Sequence, residues 1–331
     1  MSKISQHHTA NKIIQGIKYP SRNGRFLDLA GNRVTLLAGA GRSGTTWVQT
    51  LINYQQDHRI LFEPFWFKKV AFLSGFTAKG YIRETNRDPA FCKPALRILK
   101  GDFRNEWADQ LNGYRFFYLR RLIKDIRVNL CLKWLYNLMP ELKIVLLLRH
   151  PCAVSASQIR MGWGKSPTSR STQKWPASRF MLNHKALYED FLKPFESLFH
   201  DPLTGFEHRI LRWAIQNYVP LRQFQPGEIY LLFYEKLLAE PERELAGLFN
   251  FLELPLNPAV FDILNKPSST SMPDTGFRNP DNRLQSWRNQ VSREQLKSAI
   301  KILTRFGFDH IYNDDLLPNT AAAHDMLKQN L

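Results

Sequence analysis

Uninterrupted apolar segments alternate with helically spaced apolar residues along most of the chain. The clearest apolar segments are residues 33–39, 143–149 and 228–234, and such runs are typical of strands buried on both faces of a sheet. Residues 116–123 are a further predicted strand, and residues 61–67 are predicted as a short aromatic strand or loop. Strands are therefore expected at intervals through the whole chain.

Helices are predicted between these strands. Pro151 suits the first position of one helix, because the N–H that it lacks would have no partner there. Ser292 and Gln295 form a capping box that opens another helix, and Gly307 ends it. Alternating strands and helices predict an α/β fold with a central, mainly parallel sheet flanked by helices. The predicted helical ranges are 44–56, irregular helix within 68–112, a helix ending near 138, a helix from 151, a group over 183–224, 241–252 and 292–306.

We expect one domain over residues 33–312, with a partly flexible lead-in at 1–32 and a C-terminal tail at 313–331. A hydrophobic content of 44% in 331 residues is that of a folded protein, not a disordered one. No apolar window is long enough for a membrane span, and the polar, basic N-terminus predicts no secretory signal. Three scattered cysteines suit neither a disulfide framework nor a zinc site, so a cytoplasmic location is expected.

The charge balance favours polyanionic ligands. The chain has 46 basic and 29 acidic residues, which leaves a net charge of +17. This charge fits nucleic acid, an anionic membrane surface or a polyanionic substrate. The cations are spread along the chain without a basic block or a nucleic-acid-binding motif. An electropositive cleft is therefore predicted; nucleic acid is not expected, and peripheral contact with an anionic membrane stays open.

The segment from Val34 to Trp47 carries the strongest motif. A predicted strand leads through a Gly-rich turn directly into a predicted helix, so that backbone N–H groups and the positive helix end converge on one small volume. From Gly39 the spacing is that of a P-loop, except that Thr45 stands in place of the lysine. The fixed cation is instead Arg42 within the loop. The candidate anion ligands are Gly41, Arg42, Ser43, Gly44, Thr45 and Thr46.

A second candidate anion site follows the strand at 143–149. Arg149 ends this strand, where ligands of open α/β sheets bind, and Ser157 lies eight residues later on the predicted helix. An arginine fork with a hydroxyl suits a phosphate group. Two anion sites on one sheet imply a ligand with phosphate or sulfate at two separated positions.

These residues resemble the sulfotransferases that use 3′-phosphoadenosine 5′-phosphosulfate (PAPS). The family's R-S-G-T-T-W loop matches residues 42–47. A second family motif is an apolar strand that ends in Arg, followed by x-Pro and a later Ser; it matches Arg149, Pro151 and Ser157. Weaker similarities are Tyr234 in a Y-E-x-L segment, and Arg288, which follows Trp287 where the family has G-W-R. The resemblance covers residues 33–310 and implies the P-loop, nucleotide-kinase-like fold of that family.

The resemblance also implies the donor contacts. Arg42 and the backbone of 43–46 would hold the 5′ end of PAPS, and Arg149 with Ser157 its 3′-phosphate. Tyr234 and Arg288 would flank the adenosine or its 3′-phosphate. No metal is expected. The P-loop lysine is absent, and the strand that could carry a magnesium-binding Asp ends in Arg149 instead. Sulfuryl transfer also moves less negative charge than phosphoryl transfer, so cationic side chains and hydrogen-bond donors can stabilise it.

Glu63 is the candidate base. Sulfotransferases of the cytosolic small-molecule branch have a lysine at a strand end and a catalytic His two residues later. Lys124 matches that lysine, but Ile126 stands where the His would be. Glu63 instead matches the E-P-x-[FW]-F context of the carbohydrate branch, and its aromatic neighbours predict a raised pKa. Lys124 would offset charge at the sulfuryl group. His58 and His184 are rival bases, and His150 is interpreted as structural.

The predicted reaction is sulfuryl transfer from PAPS to an acceptor hydroxyl by in-line attack, with a glutamate base. A saccharide or glycoconjugate acceptor is favoured, and residues 65–112 and 160–185 are expected to set specificity. A P-loop kinase or NTPase, and a non-catalytic polyanion binder with the same fold, are the alternatives. The sequence does not define the acceptor or the oligomeric state.

Overall fold

The computed structural model describes residues 26–73, 75–77, 80–163, 175–177, 184–264 and 280–328. Its centre is a five-stranded sheet in the order β3-β5-β2-β6-β9, with every neighbouring pair parallel. Two small sheets pair β1 with β4 in parallel and β7 with β8 in antiparallel fashion. The strands are β1 Leu27–Asp28, β2 Val34–Gly39, β3 His58–Phe62, β4 Phe117–Tyr118, β5 Arg120–Asp125, β6 Lys143–Leu148, β7 Trp175–Pro176, β8 Pro202–Leu203 and β9 Ile229–Phe233.

Helices connect the strands and cover both faces of the central sheet. The α-helices are α1 Thr45–Ile52, α2 Pro89–Leu99, α3 Leu132–Leu138, α4 Pro151–Arg160, α5 Lys185–Leu187, α6 Ser197–His200, α7 Gly205–Gln223, α8 Tyr234–Ala239, α9 Pro241–Phe251, α10 Phe261–Leu264, α11 Pro280–Gln285, α12 Arg293–Arg305 and α13 Thr320–Lys328. A π-helical turn at Tyr188–Leu192 and short 3-10 turns lie between them. No helix in these ranges has the length and apolarity needed to cross a bilayer.

The central strands are buried on both faces, which explains their continuous apolar sequences. Leu36 and Leu146 belong to a core on one face, whereas their neighbours Leu37 and Leu147 belong to a second core on the other. Successive side chains of a strand point to opposite faces, so a strand covered on both sides has no polar alternation. The predicted α/β fold with a mainly parallel central sheet is confirmed.

Several element bounds differ from the sequence prediction. The strand expected at 116–123 is split at Leu119 into β4 and β5. Helix α1 ends at Ile52, earlier than predicted, and the backbone then turns at Asn53. Among the described residues of 68–112 the α-helix is limited to α2, and the side chain of Asp88 caps it by accepting from the Ala90 N–H. The segment 160–185, which is expected to contribute to specificity, lies largely outside the described residues.

Ordered elements lie on both sides of the predicted domain. Residues 26–30 are not a loose lead-in, because β1 pairs with β4 and the side chains of Phe26 and Ala30 are buried. The C-terminal stretch is not a simple tail either. It contains α13, whose buried Ala323 and Leu327 belong to the main core. The ordered domain therefore extends beyond 33–312 at both ends.

Candidate functional site

The predicted site residues lie where the parallel strands end. Glu63 directly follows β3, Lys124 is the penultimate residue of β5, Arg149 follows β6 and Tyr234 follows β9. The Gly-rich loop, residues 40–44, follows β2 at the centre of the sheet. Because all five strands are parallel, these positions share one edge of the sheet, which is where ligands of open α/β folds bind.

The Gly-rich loop requires its glycines and leads into the N-terminus of α1. Gly44 has φ 105° and Arg42 has φ 78°, both in the left-handed region. A Cβ at Gly44 would lie 2.8 Å from the ring of Tyr234, and a Cβ at Gly41 would lie 2.4 Å from the ring of Trp163. The first N–H groups of a helix have no partner within it, so the loop presents backbone donors where the α1 dipole is positive.

The loop and the second predicted anion site form one cluster. The Nε of Arg42 donates to the Oγ of Ser157 at 3.2 Å, and the Nη1 of Arg149 donates to the carbonyl of Arg42 at 3.2 Å. The guanidinium of Arg149 also lies over the ring of Tyr234, 4.1 Å from its centroid. Four residues predicted from separate parts of the sequence are thus brought together.

This cluster has the electrostatics of an anion site. Burial lowers the pKa of Arg42, and the neighbouring cations Arg149 and Arg160 lower it further. The Nε of Arg149 and the Oγ of Ser43 are buried without a hydrogen-bond partner. Unpaired buried donors beside mutually repelling guanidinium groups are costly unless an anion binds there. The residues present therefore fit a ligand with phosphate or sulfate groups.

A second cluster surrounds Glu63 at the ends of β3 and β5. Its Oε1 accepts from the Nζ of Lys124 at 2.6 Å and its Oε2 accepts from the Nη1 of Arg127 at 2.5 Å. Glu63 has φ 47°, a strained value for a residue with a side chain. The two clusters are neighbours, since the Cδ1 of Ile126 lies 3.2 Å from the position of a Cβ at Gly41.

Arg127 and Trp163 are site residues that sequence reasoning missed. The guanidinium of Arg127 binds Glu63 and also lies 4.5 Å from the centroid of the Trp66 ring. The indole of Trp163 contacts the loop at Gly41 and remains 37% exposed. In the sequence, Arg127 is distinguished only by its position, three residues after Lys124. Trp163 has no comparable signal.

The predicted rise in the pKa of Glu63 is wrong. Burial does oppose ionisation of this carboxyl, but the charges and hydrogen bonds of Lys124 and Arg127 outweigh it, and the pKa of Glu63 lies below its ordinary value. The aromatic residues that suggested desolvation are present, with Phe62 and Trp66 next to the two cations. Glu63 is therefore an ionised carboxylate throughout the neutral pH range.

Removing Arg127 should raise the pKa of Glu63. In Arg127→Gln one of the two cations that stabilise the carboxylate is lost while burial persists, so protonation becomes easier. We expect the carboxyl resonance of Glu63, followed by carbon NMR, to titrate at higher pH in this variant than in the parent protein. Arg83→Gln is the control, because Arg83 pairs with Glu189 and Asp190 instead. An unchanged titration in Arg127→Gln would contradict the assignment.

The three candidate histidines lie in different environments. His58 begins β3, at the opposite edge of the sheet from Glu63, and its Nδ1 lies 2.7 Å from Asp57. It is therefore not a rival base. His150 has a structural environment as predicted: its ring stacks on Trp287, and burial lowers its pKa to about 4. His184 is half-buried with a lowered pKa, again because of burial, and lies beside a cavity described below.

The remaining predicted residues divide into two sets. Ser43 is buried in the loop and Thr45 is buried at the first position of α1, whereas Trp47 belongs to the core and packs edge-on against Tyr234. The guanidinium of Arg288 binds the backbone and carboxylate of Asp314 near the surface, and its charge acts on His150, the residue after Arg149. Among the described residues, no three His, Cys, Asp or Glu side chains are grouped to hold a metal ion.

Comparison with known proteins assigns the family. The model of the sulfotransferase family matches residues 35–258, more than half of the chain and including both clusters. No curated protein is significantly similar in sequence.

Solved sulfotransferases are similar at low identity. A sulfotransferase domain from the curacin biosynthetic pathway is 16% identical, with 84% of this chain and 98% of that chain covered and a TM-score of 0.43. Mouse sulfotransferase SULT7A1 complexed with PAP is 16% identical, with 92% of this chain and 89% of that chain covered and a TM-score of 0.41. Sulfotransferase STF9 from Mycobacterium avium is 12% identical, with 94% of this chain and 82% of that chain covered and a TM-score of 0.42. On the match to the family model, the chain belongs to the sulfotransferase family.

Proposed function

We propose that this protein transfers the sulfuryl group of PAPS to an acceptor hydroxyl. The observation that carries the proposal is the contact of Arg42 with Ser157 and Arg149. This contact joins the loop and the second anion site into one surface, which suits a nucleotide with anionic groups at two positions. Loop residues 41–44, together with Thr45 and Thr46 at the start of α1, would hold the phosphosulfate end. Arg149 and Ser157 would hold the 3′-phosphate.

Glu63 is proposed to take the proton of the acceptor hydroxyl. The bound donor supplies the sulfuryl group; the acceptor oxygen forms a bond to sulfur as the sulfur–oxygen bond to the phosphate breaks. Glu63 is ionised, as a proton acceptor must be, although its two cations make it a weak base. An anion at the loop would compete with Glu63 for Lys124, and loss of that partner would make the carboxylate more basic. Lys124 is proposed to offset the charge on the departing phosphate.

The acceptor class is proposed from the context of Glu63. Its E-P-x-[FW]-F surroundings favour a saccharide or glycoconjugate, whose rings would stack on the aromatic side chains near the site. A cytoplasmic location is also proposed, since all three cysteines are free thiols and suit a reducing compartment. No metal is assigned to the reaction, because cationic side chains surround the proposed path of the sulfuryl group.

A transfer assay tests this function. Purified protein is incubated with radiolabelled PAPS and a panel of sugars, glycolipids and phenols, and we expect label to appear on a hydroxyl-bearing acceptor. In parallel, we expect 3′-phosphoadenosine 5′-phosphate (PAP) to raise the unfolding temperature more than ATP with magnesium, because only PAP carries the 3′-phosphate that Arg149 would bind. Greater stabilisation by ATP with magnesium, together with ATP hydrolysis, would favour a P-loop NTPase instead.

A further inference from the structure

A cavity of about 390 Å³ lies next to the Glu63 cluster. Arg127 joins the two, because its side chain lines the cavity and its Nη1 binds the Oε2 of Glu63 at 2.5 Å. Phe65, two residues after Glu63, lines the same space. A molecule in this cavity would therefore lie beside the proposed base without occupying the Gly-rich loop.

The cavity has an aromatic wall. Phe65, Phe76, Tyr81 and Phe91 all line it, and Phe76 contacts both Phe65 and Phe91 ring to ring. Its size lies in the lower part of the range for small-molecule pockets. Flat aromatic side chains around a space of this size suit a molecule with one or two rings.

The charged part of the lining is cationic. Arg83, Arg127, His184 and Lys185 line the cavity, and the described lining residues include no Asp or Glu. Arg83 is already paired with Glu189 and Asp190. Lys185 differs, because it makes a loose 3.8 Å ion pair with Glu189 and its side chain is 87% exposed. A cation of this kind can turn towards an anion at the rim.

We propose that this cavity binds the acceptor, and that the acceptor is a ring-bearing hydroxyl compound with an additional anionic group. The proposal rests on the sulfotransferase function proposed above. The aromatic wall would hold the ring, Lys185 and Arg127 would attract the anion, and the hydroxyl would be directed to Glu63. The negative charge of Glu63 does not oppose this, since Lys124 and Arg127 bind its two oxygens.

Two sources could supply this chemistry, an acidic sugar or an aryl carboxylate, and matched pairs distinguish them. The pairs are 4-nitrophenyl glucuronide with 4-nitrophenyl glucoside, and 6-hydroxy-2-naphthoate with 6-hydroxy-2-naphthamide. Binding of each to the PAP-loaded protein is measured by calorimetry, which does not depend on turnover. In at least one pair we expect the anion to bind about tenfold more tightly than its neutral partner, the size expected of a charge-assisted hydrogen bond. Equal binding within both pairs, or no binding by any of the four, would overturn the proposal.

Variants locate the binding site of the preferred anion. Ala186→Trp and Thr77→Trp place bulk at two separate lining positions, and each should weaken its binding at least about tenfold by excluding the ring. Lys185→Ala should reduce the preference for the anion over its neutral partner, whereas Lys301→Ala, an exposed lysine on α12, should not. Unchanged binding in both tryptophan variants, with folding confirmed by circular dichroism, would place the acceptor elsewhere.

PAP binding separates this proposal from the function on which it rests. If the parent protein binds PAP and the tryptophan variants bind it equally well, a loss of acceptor binding reports on the cavity alone. If the parent protein does not bind PAP, the sulfotransferase function fails, and calorimetry on the free protein still shows whether the cavity prefers anionic rings.

Discussion

Arg149→Ala will bind PAP far more weakly than the parent protein. The guanidinium of Arg149 lies between the Arg42 carbonyl and the ring of Tyr234, and its buried Nε has no partner until an anion is bound. Removing one member of a buried, hydrogen-bonded charge pair typically costs about 2–5 kcal/mol, or roughly thirtyfold to several thousandfold in Kd. Calorimetric titration with PAP measures the loss directly.

Two further variants show whether the lost group is the arginine fork. Arg149→Lys keeps the charge but not the two parallel donors, so we expect PAP affinity between those of the parent protein and Arg149→Ala. Arg305→Ala removes an exposed arginine that donates to Ser197 and should bind PAP normally. Because Arg149 also holds the loop carbonyl, the unfolding temperature without ligand is measured for each variant. Normal PAP affinity in a folded Arg149→Ala would rule out the assigned anion site.

The loop could be predicted from sequence because its determinants are local. The apolar strand, the glycines at 41 and 44 and the following helix lie within a short segment, and each residue type has a physical reason at its position. The contact between Arg42 and Ser157 joins residues 115 positions apart. The sequence predicts both residues as anion ligands at a common edge of the sheet, because Arg149 and Ser157 match a second family motif and parallel strands end at one edge. It does not predict their direct contact.

The environment of Glu63 could not be predicted in the same way. Its neighbours follow from the pairing of β3 with β5, which places Phe62 opposite Lys124, and the sequence does not specify that register. The aromatic residues near Glu63 are adjacent to it in sequence, so the sequence predicts desolvation of its carboxyl group. Arg127 comes from another strand end, so its effect on the pKa was missed. The acceptor cavity likewise combines three distant segments of the chain.

Glu63→Gln should retain PAP binding and lose sulfuryl transfer. Glutamine has nearly the same shape but cannot take a proton from the acceptor, and loss of a general base typically costs about 10²–10⁴ in rate. The Arg42 cluster does not include Glu63, so the affinity for PAP should not fall, and the release of Lys124 from its carboxylate partner favours PAP. Radiolabelled transfer and calorimetry measure the two quantities on the same preparation. Transfer at the parental rate would show that Glu63 is not the base.

A stability effect must be separated from this chemical one. Glu63→Gln leaves the buried Lys124 and the half-buried Arg127 without their carboxylate, and breaking such a pair is destabilising. Arg127→Gln combined with Glu63→Gln removes one of these cations and should recover part of the unfolding temperature, but no transfer, since no base is restored.

The pH profile supplies the independent test of Glu63 as base. A base must be deprotonated to act, and the pKa of Glu63 lies below its ordinary value of 4.5. The fall in kcat/KM for PAPS on acidification, which reports the enzyme before the donor binds, should therefore lie at lower pH in the parent protein than for a carboxyl of ordinary pKa. Arg127→Gln raises this pKa, so the fall should move to higher pH. That displacement identifies Glu63 as a group that titrates in the reaction where circular dichroism shows both proteins folded over the whole pH range, because loss of a structural ion pair would also move acid unfolding to higher pH.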